Sequence, residues 1–374
     1  MSAAMLDEKF MQIALDLAWM GRFSTSPNPR VGCVITQGEQ IVGQGFHVCT
    51  GYAHAEVHAL QQAGRFAHGA TAYVTLEPCS HTGRTGPCAQ ALIDAGISRV
   101  VMAMSDPNPQ VRGKGRAMLE EAGIEVYSGL YAQQAREINL GFLSRIERHR
   151  PYIRLKVAAT LDGKTALSNG ASKWITGAAA RDEVQTLRAE SCAVLTGINT
   201  VMADNPQLNV RRFPTIRQPL RIILDSQLQL TADYQVIGDA NSSTLIITTV
   251  ADEEKKAVFA SFPHVSVLTI PAHQDGRIDI DQLWPILAER QIGMILVEAG
   301  SILNSTLLKA GVVDEIIYYQ APKFFGQTAR SAFALPENPA ALKENEWQTI
   351  DLAQVGTDCR WQLRHQQSAI WAKG

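Results

Sequence analysis

Three residues that can ligate a metal constrain this chain more than any other feature: His54, Cys79 and Cys88. They occur as His54-Ala-Glu56, Pro78-Cys79 and Cys88, so the intervening chain must fold back to bring them to one point. The pattern around them suits that task, because helix starts are expected near His54 and Cys88 and a strand leads into Pro78-Cys79. Singly, His54 reads as a residue that caps or packs a helix, and the cysteines as buried thiols. Together they read as a zinc site. One imidazole and two thiolates leave a fourth tetrahedral position open for water, whereas structural zinc sites fill all four. Zinc brings the pKa of such a water toward neutrality. Glu56, two residues after the histidine, is placed to carry protons without binding the metal.

This is a variant of the H-x-E…P-C-x-x-C arrangement of zinc base deaminases, with the second cysteine nine residues after the first instead of three. The expected reaction is hydrolytic loss of an amine from a pyrimidine-type ring. His58, one turn after His54, is expected to be structural or to support the ligands, and His81, between the cysteines, is not expected to bind the metal.

The surrounding sequence alternates helical and strand patterns. Phe10, Ile13, Ala14, Leu17 and Ala18 recur at helical spacing, and that helix stops near Gly21. Strand-like runs at 31–36 and 41–43 suggest a hairpin. A helix from about 55, a strand at 71–76, a helix from about 87, a strand at 99–104 and a helix near 116–122 follow, which indicates helices packed on a sheet. Arg145-Ile-Glu-Arg-His-Arg-Pro151 is charged and ends a helical pattern, so domains are expected at 1–148 and 149–374. The second domain repeats the alternation, with strands at 153–159, 193–196, 220–224, 245–248 and 294–298 and helices at 178–189, 280–290 and 302–309. Further strands at 316–320 and 361–365 are expected to close the sheet antiparallel, while 324–354 shows no readable pattern.

Length and composition agree with two soluble domains: 374 residues, 46% hydrophobic and 19% charged. A net charge of −2 argues against a general nucleic-acid or membrane binder. No apolar run approaches the roughly 20 residues that span a bilayer. Asp7, Glu8 and Lys9 precede a short amphipathic stretch unlike a secretory signal. Six scattered cysteines do not read as a disulfide framework, so a cytoplasmic location is expected.

Ser26-Pro-Asn-Pro-Arg-Val-Gly32, Gly45-Phe-His47, Gly51-Tyr-Ala-His54-Ala-Glu56 and Glu77-Pro-Cys-Ser-His-Thr-Gly-Arg-Thr-Gly-Pro-Cys88 resemble the bifunctional riboflavin-biosynthesis deaminase–reductases. The long loop between the cysteines is the form expected in that family, although Gly86 stands where a second proline is usual. The resemblance continues through Asp106-Pro-Asn108 and covers nearly the whole chain. It implies that Asn28, His47, Asp106 and Asn108 contact the deaminase substrate. By themselves, Asn28 between two prolines is turn chemistry and Asp106-Pro-Asn-Pro a plain loop.

In the second domain, Lys156-Val-Ala-Ala-Thr-Leu-Asp-Gly-Lys164, Ser172-Lys-Trp-Ile-Thr176, Thr196-Gly-Ile-Asn-Thr200 and Asp204-Asn-Pro206 resemble the reductase of the same family. The resemblance implies a three-layer cytidine-deaminase-like α/β domain followed by an α/β domain similar in fold to dihydrofolate reductase. Ile295-Leu-Val-Glu298-Ala-Gly300 makes sense independently: a strand ends, a glycine permits a close turn, and a helix N-terminus follows that favours an anionic phosphate. It lacks the Rossmann glycine fingerprint, so alone it reads as a tight turn.

By resemblance, Ala158, Trp174, Thr200, Asp204, Ser226, Gly300, Ser301, Ile302, Leu303, Asn304, Ser305 and Thr306 line an NADPH site. Lys156, Ser172, Thr176, Arg188, Leu208, Arg211 and Glu298 surround the substrate, and the two arginines suit its phosphate. Arg188 on a helix reads equally as a solvated residue, and Asp204 as part of a turn. The implied chemistry is deamination of 2,5-diamino-6-(ribosylamino)pyrimidinone 5′-phosphate, then reduction of the ribosyl group of 5-amino-6-(5-phosphoribosylamino)uracil to ribityl. Lys156, Asp204 and Glu298 are the candidates for polar work in the second step. A homo-oligomer is expected from the family. A nucleoside or tRNA-base deaminase with a non-catalytic appendage shares the zinc ligands but leaves the second domain's motifs unexplained. A binding module with structural zinc lacks a fourth ligand.

Overall fold

The computed structural model describes residues 2–80, 86–109, 111–337 and 346–368. The chain divides into two compact units, Met1–His149 and Arg150–Ala369.

The first unit begins with α1 (Ala3–Met20), where Ser2 accepts the Met5 N–H as N-cap and Phe10, Met11, Ala14, Leu15 and Ala18 form the buried stripe. The strands are β1 (Gly32–Gln37), β2 (Gln40–Phe46), β3 (Thr71–Val74), β4 (Arg99–Met102) and β5 (Glu125–Ser128). Helices α2 (Ala55–Ala63), α3 (Cys88–Asp94) and α4 (Lys114–Glu121) lie between them, and α5 (Ala132–Glu137) and α6 (Leu140–Arg148) follow. Among the described residues the sheet has five strands in the order β2-β1-β3-β4-β5. The β1–β2 hairpin and the β1–β3 pair are antiparallel, whereas β3, β4 and β5 run parallel.

Strand alternation creates the three layers. Cys33, Ile35, Ala72, Val74 and Val100 face a core shared with Ala55, Ala59, Ala89, Leu92 and Leu119 of α2, α3 and α4. On the opposite face Tyr73 meets Phe10 of α1, with ring centroids 5.3 Å apart. Gly45 in β2 lets the first turn of α2 close onto the sheet: a Cβ there would stand 2.5 Å from the His58 Cβ and 2.8 Å from the Ala55 carbonyl oxygen. That contact fixes the helix start that bears His54 and Glu56.

The second unit holds β6 (Tyr152–Thr160), β7 (Lys164–Ala166), α7 (Ala178–Glu190), β8 (Ala193–Gly197), α8 (Ile198–Asp204), β9 (Leu220–Leu224) and α9 (Gln235–Gly238). Then come β10 (Thr244–Thr248), α10 (Glu253–Ala257), β11 (Val265–Thr269), α11 (Ile280–Glu289), β12 (Met294–Val297) and α12 (Ser301–Lys309). The chain continues through β13 (Glu315–Ala321), β14 (Arg330–Ser331), β15 (Trp347–Val355) and β16 (Asp358–His365). Among the described residues nine strands make one sheet in the order β11-β10-β9-β8-β12-β6-β13-β16-β15, and β14 pairs with β7 in a small ribbon. The sheet is parallel from β11 to β13, and β16 and β15 close it antiparallel.

Its central strands are continuous apolar runs because both faces are covered. Ile222, Leu245, Ile247, Ile295 and Leu155 face one core, while Val194, Ile223 and Ile246 face the other. The crossover from β8 goes through α8 to β9, on one side, and that from β12 through α12 to β13, on the other. The adjoining C-terminal ends of β8 and β12 therefore form a topological switch point, where open α/β sheets bind ligands.

All six cysteines are free. Among the described residues no helix is long and apolar enough to cross a membrane.

Candidate active sites

His54 occupies the N-cap position of α2, yet its side chain makes no capping hydrogen bond. Its ring is instead turned toward the cysteines: Nδ1 lies 3.2 Å from Cys88 Sγ and 3.6 Å from Cys79 Sγ. Cys79 follows β3 on the Pro78 turn, and Cys88 opens α3, where its N–H donates to Cys79 Sγ at 3.3 Å. The three ligand atoms all fall within 4.8 Å of one another. Zinc bond lengths of about 2.3 Å to sulfur and 2.0–2.1 Å to nitrogen imply tetrahedral N···S edges of roughly 3.6 Å. The residues fit the ion. The bare donors compete for protons: hydrogen bonding from Cys88 pulls the Cys79 thiol down to about 4, while hydrogen bonding to Cys79 and burial push the Cys88 thiol up. A divalent cation relieves that competition by neutralising both sulfurs.

Glu56 sits in the first turn of α2 and is 3% exposed. Burial pushes its carboxyl up to about 7, with the Cys79 charge adding to the rise and the His54 charge opposing it. A carboxyl poised near neutrality both takes and returns a proton. His47 stands edge-on to His54, with ring centroids 5.5 Å apart. Its Nδ1–H donates to the Ala53 carbonyl at 3.2 Å, and its Nε2 accepts from Asn28 Nδ2 at 3.2 Å. Burial lowers its pKa, in keeping with the neutral tautomer this network requires.

Asp106 and Asn108 share a turn in which Asn108 N–H donates to Asp106 Oδ1 at 2.8 Å. That turn is tied to Glu77, which stands in the 77–88 motif but has no role assigned from the sequence. His58 Nε2 is buried and has no hydrogen-bond partner among the described residues. His81 lies outside the described residues.

In the second unit a cleft of about 1530 Å³ opens over the ends of β8 and β12. Single drug-sized ligands occupy pockets of about 300–1,000 Å³, so this one has room for a dinucleotide beside a second molecule. Lys156, Ala158, Ser172, Trp174, Thr176, Arg188, Thr200, Asp204, Leu208, Arg211, Ser226, Glu298, Gly300, Ser301, Ile302, Leu303, Asn304 and Thr306 all line it. Ser305 does not: it is 2% exposed, donates to the Ser301 carbonyl at 2.7 Å and accepts the Ala334 N–H at 2.7 Å. It faces inward because it lies on the side of α12 turned from the cleft, so the expected cofactor contact there is replaced by a structural one.

The reading of Gly300 also changes. Its φ of −80° is open to any residue, and the nearest atom to a Cβ would be Thr200 Oγ1 at 4.0 Å. What the missing side chain leaves is space in front of α12, whose N-terminus has no side-chain cap and therefore presents free N–H groups. Asn304, 2% exposed, keeps its Oδ1 without a partner among the described residues. Uncapped amides, open space and an unpaired amide oxygen fit a nucleotide phosphate with its ribose.

Arg188 is not a solvated residue. It is 8% exposed and donates to both oxygens of Glu298, Nε at 2.5 Å and Nη2 at 3.0 Å. Lys156 Nζ lies 3.7 Å from the same carboxylate. Against the opposing cost of burial, Arg188 and then Lys156 hold the Glu298 carboxyl at about 2. Asn209, a second residue with no role assigned from the sequence, links the two arginines. Its carbonyl accepts from Arg188 Nη1 at 3.0 Å, its Oδ1 from Arg211 Nη1 at 3.2 Å, and its Nδ2 donates to Asp239 at 2.8 Å.

Comparison with known proteins agrees with both sites. Residues 5–104 match the cytidine and deoxycytidylate deaminase zinc-binding region, and residues 151–355 match the RibD C-terminal domain. The chain is 46% identical to riboflavin biosynthesis protein RibD of Escherichia coli, covering 95% of this chain and 98% of that protein. It is 45% identical to the RibD of Haemophilus influenzae, over 94% of this chain and 95% of that one. Acinetobacter baumannii RibD superposes with a TM-score of 0.89 at 43% identity, covering 97% and 99% of the two chains. A diaminohydroxyphosphoribosylaminopyrimidine deaminase/5-amino-6-(5-phosphoribosylamino)uracil reductase from Thermotoga maritima does so with a TM-score of 0.87 at 31% identity, over 97% and 100%. With a three-layer deaminase unit and a dihydrofolate-reductase-like unit both in place, the chain belongs to the RibD family, in which a zinc-binding deaminase and an NADPH-using reductase serve riboflavin biosynthesis.

Proposed function

We propose that residues 1–148 deaminate 2,5-diamino-6-(ribosylamino)pyrimidinone 5′-phosphate and that residues 149–374 then reduce the ribosyl group of the product. The reading rests on one observation: a three-ligand site with its own proton carrier and a dinucleotide-sized cleft, each built wholly within one unit. His54, Cys79 and Cys88 would hold the zinc, which when bound supplies the Lewis acidity that makes water a competent nucleophile near neutral pH.

Glu56 takes one proton from water as the new C–O bond forms and passes it to the ring nitrogen. It then takes the second proton from the new hydroxyl and delivers it to the amine as the C–N bond breaks, the carbonyl forms and ammonia leaves. Asn28 and His47 orient the ring on one side, and Asp106 and Asn108 on the other.

In the second unit NADPH, when bound, would supply the hydride that the reduction of the sugar C1′ needs. The N-terminus of α12 would hold the cofactor's phosphates, with Gly300, Ser301, Ile302, Leu303, Asn304 and Thr306 on one wall and Ala158, Trp174, Thr200, Asp204 and Ser226 completing the site. Ser172, Thr176 and Leu208 shape the substrate end. Arg188 is engaged by Glu298, so the substrate phosphate falls chiefly to Arg211. Glu298, held ionised, accepts hydrogen bonds from the sugar hydroxyls and has no proton to give near neutral pH. Lys156 therefore carries the proton that the ring oxygen needs when its bond to C1′ breaks.

The partners are small molecules, and the formal charge of −2 gives no basis for nucleic-acid binding. Six free thiols support a cytoplasmic location. The edge strand β15, with Ile350 and Leu352 exposed, supports assembly as a homo-oligomer. The test is to supply the aminopyrimidine phosphate with NADPH and follow both ammonia and NADPH oxidation. The reading expects both, with ammonia first. NADPH oxidation without ammonia release would contradict it.

A further inference from the structure

Glu77 lies two residues before Cys79, with only 3% of its surface exposed. Both carboxylate oxygens are occupied by backbone donors. Oε2 accepts the N–H groups of Asp106 and Gly113, each at 3.1 Å, and Oε1 those of Gly115 at 3.0 Å and Arg116 at 3.2 Å. Among the described residues no cationic side chain pairs with it, so four amide dipoles balance the buried charge. The Glu77 N–H donates to the Met104 carbonyl at 2.9 Å, which locks its own backbone beside the end of β4.

What the carboxylate joins is specific. On its C-terminal side is the Pro78-Cys79 turn with its metal ligand. At its tip are the turn of Asp106 and Asn108 and the start of α4. The two segments touch directly: a Cβ on Gly115 would stand 1.9 Å from the Pro78 carbonyl oxygen, a space that no side chain can enter. The turn is closed within itself by Asn108 N–H to Asp106 Oδ1 and by the Asn108 carbonyl, which accepts from Val111 and Arg112 at 2.9 Å each. Its location relative to the metal ligands is set through Glu77.

We propose that Glu77 is a positioning residue of the deaminase site: it fixes the Asp106–Asn108 turn at a set distance from the zinc-ligand turn, so that Asn108 stands where it can bind the substrate ring. The inference rests on the reading of Asn108 as a substrate contact. Gln at this position keeps the shape but replaces one acceptor oxygen by an NH₂ group that opposes two N–H donors, leaving them unpaired. The turn then shifts while Glu56 and the three ligands remain.

The experiment uses the full-length zinc-loaded chain and compares Glu77→Gln, Asn108→Ala and the double variant. Zinc content and reduction of the deaminated intermediate are measured beside deaminase kinetics. Glu77→Gln is expected to retain its zinc and normal NADPH oxidation, to raise the deaminase KM about ten-fold or more, and to lower kcat by a smaller factor. A misplaced contact chiefly weakens binding. The double variant is expected to lose no more than Asn108→Ala alone, because both act through one contact. Glu77→Asp, which keeps the carboxylate but shortens its reach, is expected to fall between wild type and Gln, and it carries the same KM test if the Gln variant does not fold. Loss of zinc in Glu77→Gln, equal falls in kcat and in kcat/KM at constant KM, or additive losses in the double variant would overturn the proposal. Asn108→Ala impaired with Glu77→Gln unchanged would also overturn it while leaving the contact reading intact. Asn108→Ala without effect would remove the contact reading itself.

Discussion

The two units build their sites by opposite means. In the first, chemistry is concentrated in four side chains, His54, Glu56, Cys79 and Cys88, set on the starts of α2 and α3 and on one turn after β3. In the second it is spread over a cleft whose main features belong to the backbone: the ends of β8 and β12 and the uncapped N-terminus of α12. A site made of a few reactive groups is fragile to single substitutions. One made of a surface degrades gradually, except where a charge is buried.

The largest effect is therefore expected at Glu56. Glu56→Gln should keep about one zinc per chain and lose about 10²–10⁴-fold in deamination rate, since general acid–base catalysis is typically worth that much. Elemental analysis and ammonia release check both halves of the statement. Removing zinc with a chelator should abolish deamination equally and leave reduction of the deaminated intermediate unchanged. Loss of both activities would break the contrast between the units.

Next is the buried charge of the second unit. Glu298→Gln removes the carboxylate between Arg188 and Lys156, and leaving one partner of a buried pair alone costs about 3–5 kcal/mol. Denaturant unfolding should show the second unit weakened, with a raised KM for the reductase substrate and normal deamination.

The same carboxyl predicts a pH dependence. Its pKa is held at about 2 in the fold against an ordinary 4.5, so its contribution to stability is complete above about pH 4.5 and is lost as pH falls toward 2. Unfolding midpoints across that window should fall for the wild type and show a flatter slope for Glu298→Gln.

The smallest effect is expected at Gly300. Gly300→Ala meets neither backbone strain nor a clash, so the fold should be unchanged and the KM for NADPH should rise by about ten-fold, the lower end of what one methyl group in a pocket is worth. A folding defect there would restore the tight-turn explanation.

The contrast also explains what the sequence revealed. The clustering of His54, Cys79 and Cys88 was legible because imidazole and thiol side chains with an adjacent carboxylate have few other joint uses. The alternating strands and helices were legible from periodicity, with the antiparallel closure by β16 among them. The run 316–320, expected antiparallel, instead lies parallel to β6 as β13, and only β16 and β15 reverse. Strand β15 was not legible, because at the sheet's edge it buries none of its residues and exposes Ile350 and Leu352, so no apolar face marks it. Glu77 stood in the 77–88 motif without a role, and Asn209 was not singled out, because their partners are backbone groups and arginines distant in sequence. Ser305 was misjudged because motif resemblance runs along a helix without saying which face it presents. The cleft itself was legible only by resemblance, since a strand end followed by glycine and a helix is common to many folds.

The central claim is that each half-reaction belongs wholly to one unit. It is tested most directly by mixing two full-length variants, Glu56→Gln and Asp204→Asn. Asp204 lines the reductase cleft, so its variant is expected to deaminate normally and accumulate the intermediate, while Glu56→Gln reduces that intermediate when supplied with it. Together they should restore complete conversion of the aminopyrimidine phosphate with NADPH oxidation, because the intermediate diffuses from one protein to the other. Failure of the mixture, with each variant active in its remaining half-reaction, would contradict independent sites and require the intermediate to pass within a single chain.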